Sequence, residues 1–146
     1  MTHHTKDKGD IAVGMVIANL LINGYTYAPL ISEHLPFDLI AIELGGTYRT
    51  KKLQVKYSSL KNGVVYVNFR SSYSDSNGLH INTVDRSSID AYAIYCPDTS
   101  ETYYINCSEI PETMTSTLTL RIVPPKNNQK KGVWMAKDFI GVNRIF

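Results

Sequence analysis

A chain of 146 residues with 43% hydrophobic content can bury one sizeable core and needs no second domain, so it reads as a single domain over 1–146. Ten tyrosines and only 19% charged residues exclude a disordered chain. The formal charge of +2 hides an asymmetry: between 75 and 112 seven acidic residues face Arg86 alone, whereas from 121 to 146 six basic residues face Asp138 alone.

The first ten residues, MTHHTKDKGD, hold no basic segment leading into an apolar one and no small-residue cleavage site, so the cytoplasm is the expected compartment. His3 and His4 have no further Cys or His nearby at zinc-site spacing, which favours a flexible terminus over a zinc site. Asp10, after Gly9, is expected to cap a helix with Ile11, Met15, Ala18 and Ile22 along one face, ended by Asn23-Gly24. Val13, Val16, Ile17, Leu20 and Leu21 make its other faces apolar, so the helix should be largely buried against a sheet. The apolar stretch from 11 to 22, broken by Gly14 and Asn19, is too short to cross a bilayer.

Strands are expected at 25–29, 37–43, 53–58 and 64–70, with Gly45-Gly46 and Asn62-Gly63 as turn signals, in an antiparallel meander. SSYSDSNGL, 71–79, reads as an exposed loop; strands resume at 91–96, 102–107 and 117–123. PPKNNQKKG is a loop, and WMAKDFI adds a helical turn. Pairing 91–96 with 102–107 so that Cys96 opposes Thr102 sets Cys96 and Cys107 roughly 17 Å apart, beyond disulfide reach. Both are expected to be reduced.

The informative stretch is HLPFDLIAIELGGTYRTKKLQVKY, 34–57. Alternation puts Gln54 and Lys56 on one face of their strand, and the hairpin lays Asp38 beside them. A carboxylate, an amide and an ammonium then meet at one end of a sheet. A buried charge is costly unless paired or metal-bound, so one reading is a structural salt bridge between Asp38 and Lys56. The other is a site for Mg²⁺ and phosphate.

These residues resemble the PD-(D/E)xK nuclease superfamily: Pro36-Phe37-Asp38, fifteen intervening residues, then Gln54-Val55-Lys56. HTKDKGDIAVGMVIANL, ISEHLPFDLIAI, LQVKYSS and the downstream KNNQKKG extend the likeness to its small single-domain, intron-encoded homing endonucleases. The resemblance implies an α/β, restriction-endonuclease-like core: a mixed β-sheet with a buried N-terminal helix and additional C-terminal strands. It also implies site-specific cleavage of double-stranded DNA with Mg²⁺. Residue by residue, Asp38 matches the metal-binding acid, Lys56 the lysine beside the attacking water and Asp10 the acid of the first helix. Gln54 departs from the pattern by replacing a second acid, which removes one negative charge and favours single-metal operation or weaker metal affinity.

Phosphodiester hydrolysis needs an activated water, a cation on the non-bridging oxygens and help for the leaving oxygen. Asp38 and the Val55 carbonyl could hold Mg²⁺, Lys56 could orient the water, and Asp10 could bind the ion directly or through water. Glu33 and His34 precede the Asp38 strand and could line the site, while Tyr57 reads as core. In the basic region of about 121–146, Lys126, Asn127, Asn128, Gln129, Lys130 and Lys131 offer charge and amides to phosphates or base edges, against surface solubility as the plain alternative. Tyr73, Asn77 and His80 are weaker candidates for sequence reading. A homo-oligomer, dimer or tetramer, is expected, since one site per chain cuts one strand. The rival readings are a structure-selective nuclease such as a junction resolvase and a non-catalytic DNA-binding module.

Overall fold

The computed structural model describes residues 4–83 and 85–146. Helix α1 (Thr5–Ile22) packs on one face of a five-stranded mixed sheet. That sheet has the order β1-β2-β3-β8-β9, with β1 Tyr25–Pro29, β2 Leu39–Glu43, β3 Thr50–Tyr57, β8 Ala91–Cys96 and β9 Glu101–Asn106. Its other face is covered by a four-stranded sheet of order β11-β10-β5-β4: β4 Leu60–Lys61, β5 Val64–Asn68, β10 Thr117–Arg121 and β11 Trp134–Met135. Strands β6 (Arg70–Asp75) and β7 (Gly78–Thr83) form a separate two-stranded ribbon.

Two cores flank the five-stranded sheet. On the helix side, Ala12, Val16 and Leu20 meet Leu39, Ala41, Leu53, Val55, Ala91, Ala93 and Tyr104. On the other side, Tyr92, Ile94, Tyr103 and Ile105 meet Val65, Val67, Phe69, Leu118 and Leu120. Strand β8, AYAIYC, is therefore apolar on both faces, as a central strand must be. Asn62 (φ 52°) and Gly63 (φ 73°) take the left-handed conformations of a tight turn joining β4 to β5.

The fold corrects several expectations. α1 starts at Thr5, five residues before Asp10: His4 is the N-cap, and Asp7 accepts a hydrogen bond from the His4 N–H at 3.2 Å. Asp10 is thus inside the helix and caps nothing, and His3 lies outside the described residues. The buried stripe of α1 is Ala12, Val16 and Leu20, not the expected Ile11, Met15, Ala18 and Ile22; Ile22 is 83% exposed. The meander ends at β3, whose next neighbour is the parallel strand β8, 34 residues later in sequence. The expected loop at 71–79 is instead most of the β6–β7 ribbon. In the β8–β9 hairpin Cys96 faces Glu101 and not Thr102, one residue off the expected register. Both cysteines are free thiols, and burial pushes Cys107 up to about 11. No helix of the described residues is long and apolar enough to cross a membrane.

Candidate active site

The β2–β3 register fixes the site. Leu39 pairs with Leu53, and both point into the helix-side core. One residue outward, Asp38 lies opposite Gln54, its N–H donating to the Leu53 carbonyl at 2.9 Å. Alternation then sends the side chains of Asp38, Gln54 and Lys56 to the face away from α1. Oδ2 of Asp38 accepts from the Val55 N–H at 2.8 Å and from Gln54 Nε2 at 2.7 Å. The carboxylate takes the place a backbone carbonyl would occupy if β2 began earlier, which is why that strand starts at Leu39 and not at Phe37.

Successive residues of a strand present their backbone groups to alternate neighbours. Ser58 N–H and the Lys52 carbonyl bond to the β8 side, so Leu53, Val55 and Tyr57 face the β2 side. The Val55 carbonyl therefore opens into the same gap as its N–H, beyond the end of β2. Both hydrogen bonds to Asp38 fall on Oδ2, leaving Oδ1 without a partner among the described residues. Asp38 Oδ1 and the Val55 carbonyl fit Mg²⁺, which takes oxygen ligands, accepts a single carboxylate and keeps several waters.

The electrostatics bear on the two readings of this cluster. An ion pair holds its carboxyl low and its ammonium high. Here both shifts run the other way. Loss of water raises Asp38 above the usual carboxylate range, although the Val55 N–H and the Lys56 charge pull it down. Loss of water also lowers Lys56, although Asp38 opposes this. Solvent reaches Asp38 itself, but protein crowds its carboxylate, and the β8 neighbours of Gln54 and Lys56 are the fully buried Tyr92 and Ile94. Ion pairs within 4.0 Å among the described residues are Arg49–Glu43, His80–Asp75 and Arg144–Glu109; Asp38–Lys56 is not one of them.

The remaining candidates fall elsewhere. α1 covers the opposite face of β3, and Asp10 leaves it about 200° around from Lys8, whose ammonium lies 5.8 Å from the Tyr57 ring centroid at the end of β3. Among the described residues Asp10 has no side-chain bond to Asp38, Gln54 or Lys56, and no three His, Cys, Asp or Glu side chains converge. Glu33 and His34 are exposed in the loop before β2. Tyr57 packs against the helix-side core, in edge contact with Tyr95.

Lys126 to Lys131 are all exposed between β10 and β11. Two of their amides serve the loop itself: Asn127 Oδ1 accepts from the Gln129 N–H, and Gln129 Nε2 donates to the Lys131 carbonyl. Arg144, counted in the basic region, is structural: it pairs with Glu109 at 2.8 Å and donates to the Tyr104 carbonyl at 2.7 Å. Tyr73 and His80 stack on the ribbon with centroids 4.7 Å apart, and His80 Nε2 lies 3.0 Å from Asp75 Oδ1. Sequence reasoning missed Lys52, which shares the face of Gln54 and Lys56 and whose ammonium sits 5.9 Å from the Phe37 ring centroid. Its spacing, 52-54-56, was the signal.

A family model described as PD-(D/E)XK endonuclease matches residues 3–141. The solved structure of a bacterial homing endonuclease, I-Ssp6803I, superposes with a TM-score of 0.72 at 22% identity, covering 89% of this chain and 86% of that one. Among curated proteins nothing matches.

Proposed function

The chain belongs to the PD-(D/E)XK endonuclease family, and from that premise we propose that it is a Mg²⁺-dependent, site-specific endonuclease for double-stranded DNA, of the homing type. The observation that carries this reading is the cluster beyond the end of β2, where the Val55 N–H and Gln54 hold Asp38 Oδ2, Oδ1 is left open, and Lys56 shares the face without pairing to Asp38. Two partly desolvated charges at one strand end, not in contact, are poorly arranged as a structural pair. They suit a site completed by a cation and a phosphate. The fold likeness to a homing endonuclease supports the choice within the family.

In this reading Asp38 Oδ1 and the Val55 carbonyl would hold Mg²⁺, which would supply charge neutralisation on a non-bridging oxygen. Gln54 steadies the carboxylate through its amide N–H and adds no negative charge. The Lys56 ammonium would orient the attacking water and stabilise the charge that develops on the phosphate. Asp10 makes no side-chain hydrogen bond to Asp38, Gln54 or Lys56 among the described residues, and a contact to the ion from it would run through water. Symmetric assembly of two or more copies would bring a second site to the second strand.

The test is to incubate the purified protein with DNA carrying candidate intron-insertion sites, with Mg²⁺ or with chelator, and to map the ends. Magnesium-dependent cuts at one defined position are expected. Cleavage confined to four-way junctions would replace the homing reading with a resolvase, and no cleavage of any DNA would leave a binding module.

A further inference from the structure

A cleft of about 310 Å³ opens where β3 ends, between the first turns of α1 and the β4–β5 hairpin. Lys8, Tyr57, Ser59, Lys61, Tyr66 and Asn68 are among the residues that line it. At about 30 Å³ per water it has room for about ten waters, so it is a wet, open site and not a packing defect. No carboxylate lines it. Among the described residues neither Lys8 nor Lys61 forms an ion pair. The nearby Asp98 is turned to another task, accepting from the Leu60 N–H at 2.7 Å.

The cleft is built. Ser58, only 9% exposed, donates its hydroxyl to the Tyr66 carbonyl at 2.8 Å and ties the end of β3 to β5. Asn68 Oδ1 accepts from the Arg70 N–H at 2.9 Å, which leaves the amide N–H₂ as its open group. The remaining groups are thus mostly donors: two ammoniums, an amide, a serine hydroxyl and a phenol.

We propose that this cleft binds the DNA backbone next to the cut, with Lys8 and Lys61 as its phosphate contacts. The proposal rests on the nuclease reading. Lys56 and Ser58 are two strand residues apart, about 6.6 Å. Phosphates of one strand follow each other about every 3.4 Å along the duplex axis. A strand whose scissile phosphate sits at Lys56 therefore brings the phosphate one or two steps away over the cleft. Lys8 and Lys61 would hold it from opposite walls and fix the direction in which the strand crosses Asp38.

Each phosphate contact contributes about 0.9 to the slope of log affinity against log salt. By the same relation two contacts are worth about 60-fold in affinity at 0.1 M salt. The experiment measures binding of a short random-sequence duplex in EDTA across a salt series, for the parent and for Lys8→Gln/Lys61→Gln. A slope shallower by about 1.8 and about 60-fold weaker binding are expected, with Lys8→Arg/Lys61→Arg restoring both. Lys61→Gln alone, at an exposed side chain, should show about half the slope change and covers the case in which removing the Lys8 ammonium from the Tyr57 ring lowers stability. A parent that cuts DNA while the glutamine variants keep its slope would overturn this site alone. A parent that neither binds nor cuts DNA would sink the nuclease reading itself.

Discussion

Lys56→Met tests the site most directly. The change keeps the apolar stem and removes the charge. If Lys56 and Asp38 were a buried ion pair, breaking it would cost about 3 to 5 kcal/mol. The geometry argues for much less, because the two groups are more than 4.0 Å apart and dehydration of Lys56 outweighs its attraction to Asp38. Even in contact, a pair that solvent still reaches is worth about 0 to 1 kcal/mol, and here it is opposed by the penalty the variant relieves. In chelator, stability should therefore change by less than about 1 kcal/mol in either direction. For a chain of this length that is under about 4 °C in Tm, against about 6 to 20 °C for the ion pair. The folded pKa of Lys56 lies below its ordinary 10.5, so the parent should gain stability as pH rises from that folded value to 10.5, and the variant should lose that gain. Cleavage should vanish, since the ammonium acts on charge that appears in the transition state. Calorimetry at pH 7 in EDTA, paired with a cleavage assay, reads both. A Tm loss above about 6 °C would refute the inference drawn from the reversed shifts.

Asp38→Asn should abolish cleavage and erase the rise in Tm on adding Mg²⁺, which for the parent reflects a stabilisation of about 2.7 kcal/mol at a hundredfold excess over Kd; a rise equal to the parent's would place the ion elsewhere. Gln54→Glu sets a second carboxylate where the 2.7 Å amide bond stood, so it should tighten Mg²⁺ in calorimetric titration while raising the Asp38 pKa further without metal. Unchanged metal affinity would mean that side chain does not face the ion. Lys126→Gln with Lys130→Gln and Lys131→Gln should flatten the salt dependence of DNA binding by about 0.9 for each phosphate no longer neutralised, and an unchanged slope would remove the β10–β11 loop from the DNA surface. Tyr73→Ala with His80→Ala, on a ribbon exposed along nearly its whole length, should leave Tm within about 2 °C yet relax discrimination among DNA targets; intact discrimination would remove the ribbon from sequence reading.

Legibility in the sequence followed locality. β1 and β8 occupy the expected residues, and Asp38 meets Gln54 because one short hairpin sets their register. The parallel pairing of β3 with β8 was hidden, since no turn joins them; only the unbroken apolar run AYAIYC marked a strand with two covered faces. The ribbon escaped because SSYSDSNGLHINT is largely polar, and without a core to face it shows no alternation. The helix start was concealed by an unusual cap, His4 with Asp7, in place of the Ser, Thr, Asp or Asn that signals one. Its buried stripe could not be chosen from pattern either: with apolar residues on every side, the sheet decides which face is covered.

An amide suits position 54 for an electrostatic reason. Asp38 already loses water to its surroundings, and its carboxyl is raised as a result. A glutamate there would place two carboxylates in contact before any cation arrives, and their repulsion would raise the pKa of one of them further. Gln54 instead donates to Oδ2 and fixes its orientation together with the Val55 N–H, so Oδ1 and the Val55 carbonyl stand ready beside Lys56. At the proposed site the missing charge would lower metal affinity, while the hydrogen bonds to Oδ2 keep Asp38 ordered without metal. The polar cluster at the end of β3 is thus organised without any ion, and burial opposes the charged forms of both Asp38 and Lys56, which a cation and a phosphate at the proposed site would offset.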